Sequence, residues 1–127
     1  VVEAARGADF LILVTEATPF GLHDLRMAVE VASELGLPAG VILNRFDNQE
    51  ADGGYREIVE SFCEEKGLPI LMRIPFERKI AEGIASGKTL LEVHPEMKGE
   101  FRDMYARLLR LAGEGKGSGI PAKAINP

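Results

Sequence analysis

Tryptophan is absent from the 127 residues, and only one cysteine and two histidines are present. One thiol cannot close an internal disulfide, which excludes a disulfide scaffold and points to a reducing, cytoplasmic setting. Cys63, His23 and His94 are far apart in the chain, so no metal-ligand spacing arises and no metal site is expected. Long apolar runs are missing too. The longest, Phe10 to Val14, falls far short of the ~20 residues a membrane-spanning helix needs. Nor is there an excess of positive charge. Lys plus Arg number 15 against 20 Asp plus Glu, a net charge of −5, which argues against a nucleic-acid partner. What is present, 46% hydrophobic and 28% charged residues, is the mix of a folded globular chain rather than a disordered tail or a collagen.

Three apolar runs read as strands: Phe10 to Thr15, Gly40 to Leu43 followed by Asn44, and Ile70 to Ile74 closed by Pro75. None alternates with polar residues, so each is expected to be covered on both faces, as in a parallel sheet. Helical stripes lie between and after them. Leu22, Leu25, Val29, Ala32 and Leu35 form one; Tyr55, Ile58, Val59, Phe62 and Cys63 a second; Met97, Phe101, Met104, Tyr105, Leu108 and Leu111 a third. Ile80 and Ile84 suggest a short helix after Pro75. Gly7, Gly36 and Gly67 stand at the joints from helix to strand, where a left-handed residue ends a helix. The expected fold is α/β, three layers with a parallel sheet, over residues 1–112. The alternating glycines from Gly113 predict a flexible tail over 113–127.

Ligands of such sheets bind at the carboxyl ends of the strands. Those ends are Thr15 to Pro19, Asn44 to Asp47, and Pro75-Phe76-Glu77. The opposite ends are plain glycine-proline joints. Asn44-Arg45-Phe46-Asp47 has the spacing of the N-K-x-D element by which GTPases read guanine, with Arg in place of Lys. An amide can both donate to and accept from a purine edge; a turn after a strand uses the same residue types. Thr18-Pro19 reads as a helix N-cap followed by proline in the first turn, or as a segment facing a ligand. Gly83 to Thr89 imitates a phosphate loop but encloses three residues between its glycines, one short of G-x-x-x-x-G-K-[ST]. It also follows a helix, so Gly87 reads as a helix C-cap. Cys63 lies on an apolar stripe and reads as core rather than nucleophile.

The stretch from Ala8 through Thr15-Glu16-Ala17-Thr18-Pro19-Phe20-Gly21-Leu22-His23-Asp24-Leu25 resembles the MinD/ParA group of P-loop ATPases. It is most similar to the branch with an inserted ferredoxin-type iron-sulfur segment, catalogued with the CobQ/CobB/MinD/ParA nucleotide-binding domain. The strand ending in Asn44-Arg45 and the later Ile74-Pro75-Phe76-Glu77 fit the same pattern, and the likeness runs from about Val1 to Met97. It implies the C-terminal part of a SIMIBI-type P-loop fold. It also implies an adenine contact from Asn44, base packing from Pro75 and Phe76, and a ribose or base contact from Glu77, where the family usually carries Asp. Arg45 and Asp47 are nucleotide-binding candidates from the N-K-x-D spacing instead, in which the Asp47 carboxylate would accept from the N1–H and amino group of guanine. Thr15, Thr18 and Pro19 would lie near the nucleotide or a homodimer face. The family's phosphate loop, Mg-supporting aspartates and inserted cysteines are not among these residues. ATP, Mg and any 4Fe-4S cluster are therefore expected only in a longer parent. These 127 residues alone are expected to hold none of them and to be inactive as an ATP hydrolase.

Three functions follow as expectations. The first is the base-binding side of an ATP site used as a dimer-linked switch, coupled to an iron-sulfur cluster in the parent. The second is an ATP-dependent amidoligase of the cobyrinic acid a,c-diamide synthase type, which would need a nucleophilic cysteine with a histidine base. The third is a non-catalytic interaction module.

Overall fold

Residues 11–15 bury nearly every side chain although adjacent residues point to opposite faces of a strand. Apolar surface on both sides can be removed from water only if helices cover both faces, and that demand organises the chain. A computed structural model describes residues 2–46 and 54–116. Its elements are α1 (Val2–Ala5), β1 (Leu11–Thr15), α2 (Pro19–Leu35), β2 (Ala39–Phe46), α3 (Tyr55–Glu65), β3 (Ile70–Pro75), α4 (Arg78–Ala85), α5 (Leu90–Val93), a 3₁₀ turn (Pro95–Met97) and α6 (Lys98–Lys116).

The three strands form one parallel sheet in the order β1-β2-β3. Leu11, Leu13, Val41 and Leu43 face one core, shared with Leu22, Leu25, Ala28 and Ala32 of α2 and Val59, Phe62 and Cys63 of α3. Ile12, Ile42 and Met72 face a second core, closed by Met97 and by Leu108 and Ala112 of α6. The expected α/β architecture with a parallel sheet is therefore present. Gly7, Gly36 and Gly67 are left-handed, with φ of 75°, 66° and 67°. Leu35, the last residue of the expected α2 stripe, is exposed.

Register is interrupted once in a way that explains a glycine. Val41 pairs with Ile70 and Ile42 with Met72, so Leu71 is an extra residue in β3. Leu71 and Met72 consequently both enter the second core. A Cβ at Gly40 would lie 2.8 Å from Leu71 Cδ1, so glycine in the central strand leaves the room that the Leu71 side chain occupies.

Besides β2, which runs on past Leu43 through Asn44-Arg45-Phe46 so that Asn44 lies inside the strand rather than after it, two stretches differ from the sequence expectation. The last helix runs past Gly113 to Lys116. Glycine weakens a helix by about 1 kcal/mol, but Leu108 and Ala112 are anchored in the second core, which carries the helix onward. Residues 117–127 of the expected tail lie outside the described residues. The second stretch is α5, a one-turn helix that no apolar stripe announces. Thr89 Oγ1 accepts from the Glu92 backbone N–H at 3.2 Å, and Glu92 Oε1 accepts from the Thr89 N–H at 3.3 Å. This reciprocal cap starts a helix of one turn. Thr89→Ala is expected to lower stability by about 1 kcal/mol, read as a shifted urea midpoint with unchanged slope.

Candidate functional site

Parallel pairing aligns the carboxyl ends of all three strands along one rim. Thr15, the last residue of β1, sits opposite Leu43, one step before Asn44. Phe46 of β2 sits opposite Pro75 of β3. The expected site residues Thr15, Asn44, Arg45 and Pro75 therefore share one end of the sheet, with Phe76 and Glu77 following directly. Asn44 is half-buried, and Phe76 is 46% exposed. Arg45 is placed by its backbone in β2 alone, and Asp47 lies outside the described residues.

The β1–α2 joint is built by two hydroxyls and one glycine. Thr15, itself buried, donates from Oγ1 to the Gly21 carbonyl at 2.9 Å. Thr18 has extended backbone, φ −132° and ψ 164°, and its Oγ1 accepts from the Gly21 N–H at 3.0 Å. Pro19 occupies the first turn, where no backbone N–H is needed. Thr18 and Pro19 thus form an N-cap, and the Thr15 hydroxyl is directed into the same turn. Gly21 is pressed on the preceding loop: a Cβ there would stand 2.1 Å from the Glu16 carbonyl oxygen. The result is a shallow cavity of about 240 Å³ lined by Thr15, Glu16, Thr18, Phe20, Gly21 and Asp24. Its ionisable side chains, Glu16 and Asp24, are both acidic.

At the β3 end, Glu77 is the N-cap of α4 yet makes no side-chain capping bond. Its carboxylate turns elsewhere: Oε1 lies 3.7 Å from His94 Nε2, and Oε2 lies 4.0 Å from Lys79 Nζ. His94 was missed as a site residue in the sequence. The signal that could have found it is the Thr89-x-x-Glu92 cap, which starts α5 and returns His94 to the end of β3.

Other candidates take structural roles. α4 stops at Ala85, and Gly87 has φ 85°, with its N–H bonded to the Ile84 carbonyl at 2.9 Å. Lys88 N–H is bonded to the Gly83 carbonyl at 2.9 Å, and the Thr89 hydroxyl serves the cap of α5. The Gly83–Thr89 segment is thus a helix end followed by a helix start, not a phosphate cradle. Cys63 is buried in the first core. Burial first, then the Glu60 charge, pushes its thiol up from 9.0 to about 11, against a smaller opposing pull from Arg73. Among the described residues no group of three or more His, Cys, Asp and Glu could hold a metal ion. No described helix is long and apolar enough to cross a membrane.

A cavity of about 790 Å³ lies at the other end of the sheet among the Leu37-Pro38 and Leu68-Pro69 joints. Arg26 there is spent on the Phe62 ring, 5.6 Å from its centroid. Volume and chemistry thus point to opposite ends. The polar side chains converge on the carboxyl-end rim, where parallel sheets carry their ligands, and that rim is the better candidate.

No protein-family model matches this chain. The chain is 29% identical over 92 residues to an uncharacterized protein of Methanocaldococcus jannaschii, an alignment covering 72% of this chain and 29% of the relative. The chain therefore spans less than a third of the length of the curated relative it matches.

Proposed function

We propose that this chain is the C-terminal part of a MinD/ParA-like P-loop ATPase of the SIMIBI type and supplies the base-binding side of its ATP site. The observation that carries the reading is the shared rim of Thr15, Asn44 and Pro75-Phe76-Glu77 at the carboxyl ends of three parallel strands. The resemblance of the Thr15–Leu25 stretch to that group adds to it. In this reading the Asn44 amide pairs with the adenine edge through its donor and its acceptor. Pro75 and the half-exposed Phe76 offer apolar surface to the ring, and Glu77 accepts from a ribose hydroxyl. Phe20, 84% exposed beside Pro19, belongs to the homodimer face. The setting is cytoplasmic.

The rest of an ATPase does not fit these residues. The Gly83–Thr89 segment is a helix end followed by a helix start, which suits no phosphate loop. Cys63, held as a buried thiol, suits neither a 4Fe-4S cluster nor the glutaminase half of an amidoligase, both of which use a thiolate. Phosphate, Mg²⁺ and any cluster belong in this reading to a longer parent, and no chemical step is assigned to this chain.

The reading predicts weak, base-selective binding. Adenosine added to the ¹⁵N-labelled 127-residue chain should shift the amides of Asn44, Phe76 and Glu77 with a Kd of about 1 mM, some −4 kcal/mol. Asn44→Ala should weaken binding about tenfold, the worth of one good hydrogen bond. Absence of shifts at the rim with either adenosine or guanosine defeats the proposal. Preference for guanosine would assign the N-K-x-D reading instead.

A further inference from the structure

One titratable group at the rim is not used by the nucleotide reading. His94 follows α5 directly, and its side chain is 18% exposed. Nε2 faces Glu77 Oε1 at 3.7 Å, and Nδ1 faces Glu96 Oε2 at 3.1 Å. The second contact is out of hydrogen-bond alignment, so the buried Nδ1 has no hydrogen-bond partner. The imidazole is thus lodged between two carboxylates, one from the β3–α4 joint and one from the 3₁₀ turn. Among the described residues Lys79 of α4 also faces Glu77, at 4.0 Å.

The ring is held there by the backbone. His94 N–H is bonded to the Leu90 carbonyl at 2.8 Å, and its carbonyl accepts from Met97 N–H at 3.1 Å. Met97 is buried in the second core. On the other side Val93 packs so tightly on α4 that a Cβ at Gly83 would lie 2.2 Å from Val93 Cγ2. Glycine at position 83 therefore lets α5 close on α4 and sets the next residue, His94, beside Glu77. A rigid seat of this kind is what fixes a functional side chain to within a fraction of an ångström.

Three further facts give the arrangement a direction. A neutral imidazole carries one N–H, so it offers a donor to one carboxylate and a lone pair to the other; an imidazolium is attracted to both by its charge. Glu77, for its part, leaves the N-terminus of α4 uncapped and forgoes the roughly 1 kcal/mol that a capping side chain contributes. Glu96 is held below the ordinary carboxylate range, first by its own backbone N–H and then by the charges of His94 and Lys79.

We infer that His94 is a positioning residue for Glu77: seated by Glu96, its protonated ring holds the Glu77 carboxylate at the rim of the strand-end site, and loss of the proton releases it. The inference rests on the nucleotide reading, in which Glu77 meets the ribose, and it makes that contact pH-dependent.

The test follows the Glu77 and Lys79 resonances of the labelled 127-residue chain between pH 5 and 8 and repeats the adenosine titration at both limits. In the wild-type chain the Glu77 signals should move in step with the His94 ring. Adenosine should bind about threefold tighter at the acid limit, the size of one partly exposed ion pair. In His94→Gln the Glu77 signals should stand still, and affinity should stay at the wild-type value for pH 8. Glu77→Gln, which leaves His94 in place, should abolish the pH dependence as well. If adenosine binds but its pH dependence survives in both variants, the positioning role is overturned and the nucleotide reading stands. If Glu77 follows His94 but adenosine binds at neither limit, the nucleotide reading fails and takes the role of His94 in that site with it.

Discussion

Gly21→Ala is expected to open the joint between β1 and α2 and to cost about 3 kcal/mol or more, as overpacking against rigid atoms does. The added methyl group would meet the Glu16 carbonyl oxygen at 2.1 Å. That atom is backbone, so no rotamer change relieves the clash. Either the Glu16–Thr18 loop lifts or the first turn of α2 unwinds. Both hydroxyl bonds of the joint end on Gly21, Thr15 to its carbonyl and Thr18 from its N–H, and both break together. Gly99 of α6 supplies the control, because a Cβ there meets nothing within 4 Å. Gly99→Ala should stabilise by about 0.5–1 kcal/mol through the unfolded-state entropy it removes. Urea denaturation of the two variants checks the pair. Equal and small effects would show that the close approach at Gly21 does not constrain the fold.

Cys63 in the folded chain should react with a disulfide reagent about a hundredfold more slowly than in the urea-unfolded chain, because only the thiolate attacks. Raising the thiol from 9.0 to about 11 removes two powers of ten of thiolate at neutral pH, before steric exclusion is counted. The same shift links folding to alkaline pH. The folded state prefers the protonated thiol, so this contribution to stability is complete below pH 9.0. It declines as pH rises through about 11, where the folded thiol ionises. Wild-type stability should therefore fall more steeply than that of Cys63→Ala across that window. Rapid labelling of the native chain would show that α3 opens locally or that the thiol is not shielded.

The three strands were legible because runs such as Phe10–Thr15 lack alternation, a local pattern that burial on both faces produces. The joints were legible for a similar reason: Gly36 and Gly67 stand where a helix must end before a strand begins, and only glycine adopts that conformation without strain. From these two signals the carboxyl-end rim followed, since strand polarity in a parallel sheet assigns which loops lie together. Thr18-Pro19 could be read as a cap or as a ligand-facing segment, and the hydrogen bond from Gly21 N–H settled that it caps.

What lay beyond reach depended on contacts between residues distant in the chain. No local period marks Leu71 as the extra residue of β3; Gly40, 31 positions earlier, makes room for it only after β2 and β3 have paired. Glycines after residue 112 predict a break when taken alone, yet Leu108 and Ala112 hold α6 against the sheet past Gly113. His94 looked like one of two stray histidines until α5 closed on α4 and carried it to Glu77. Composition and periodicity were enough to specify an α/β chain, its strands and the end of the sheet that carries polar groups, because burial and backbone conformation act residue by residue. Which of those groups meet was decided by tertiary packing alone, because a carboxylate and an imidazole interact through distance in space, and that distance exists only once the layers have closed.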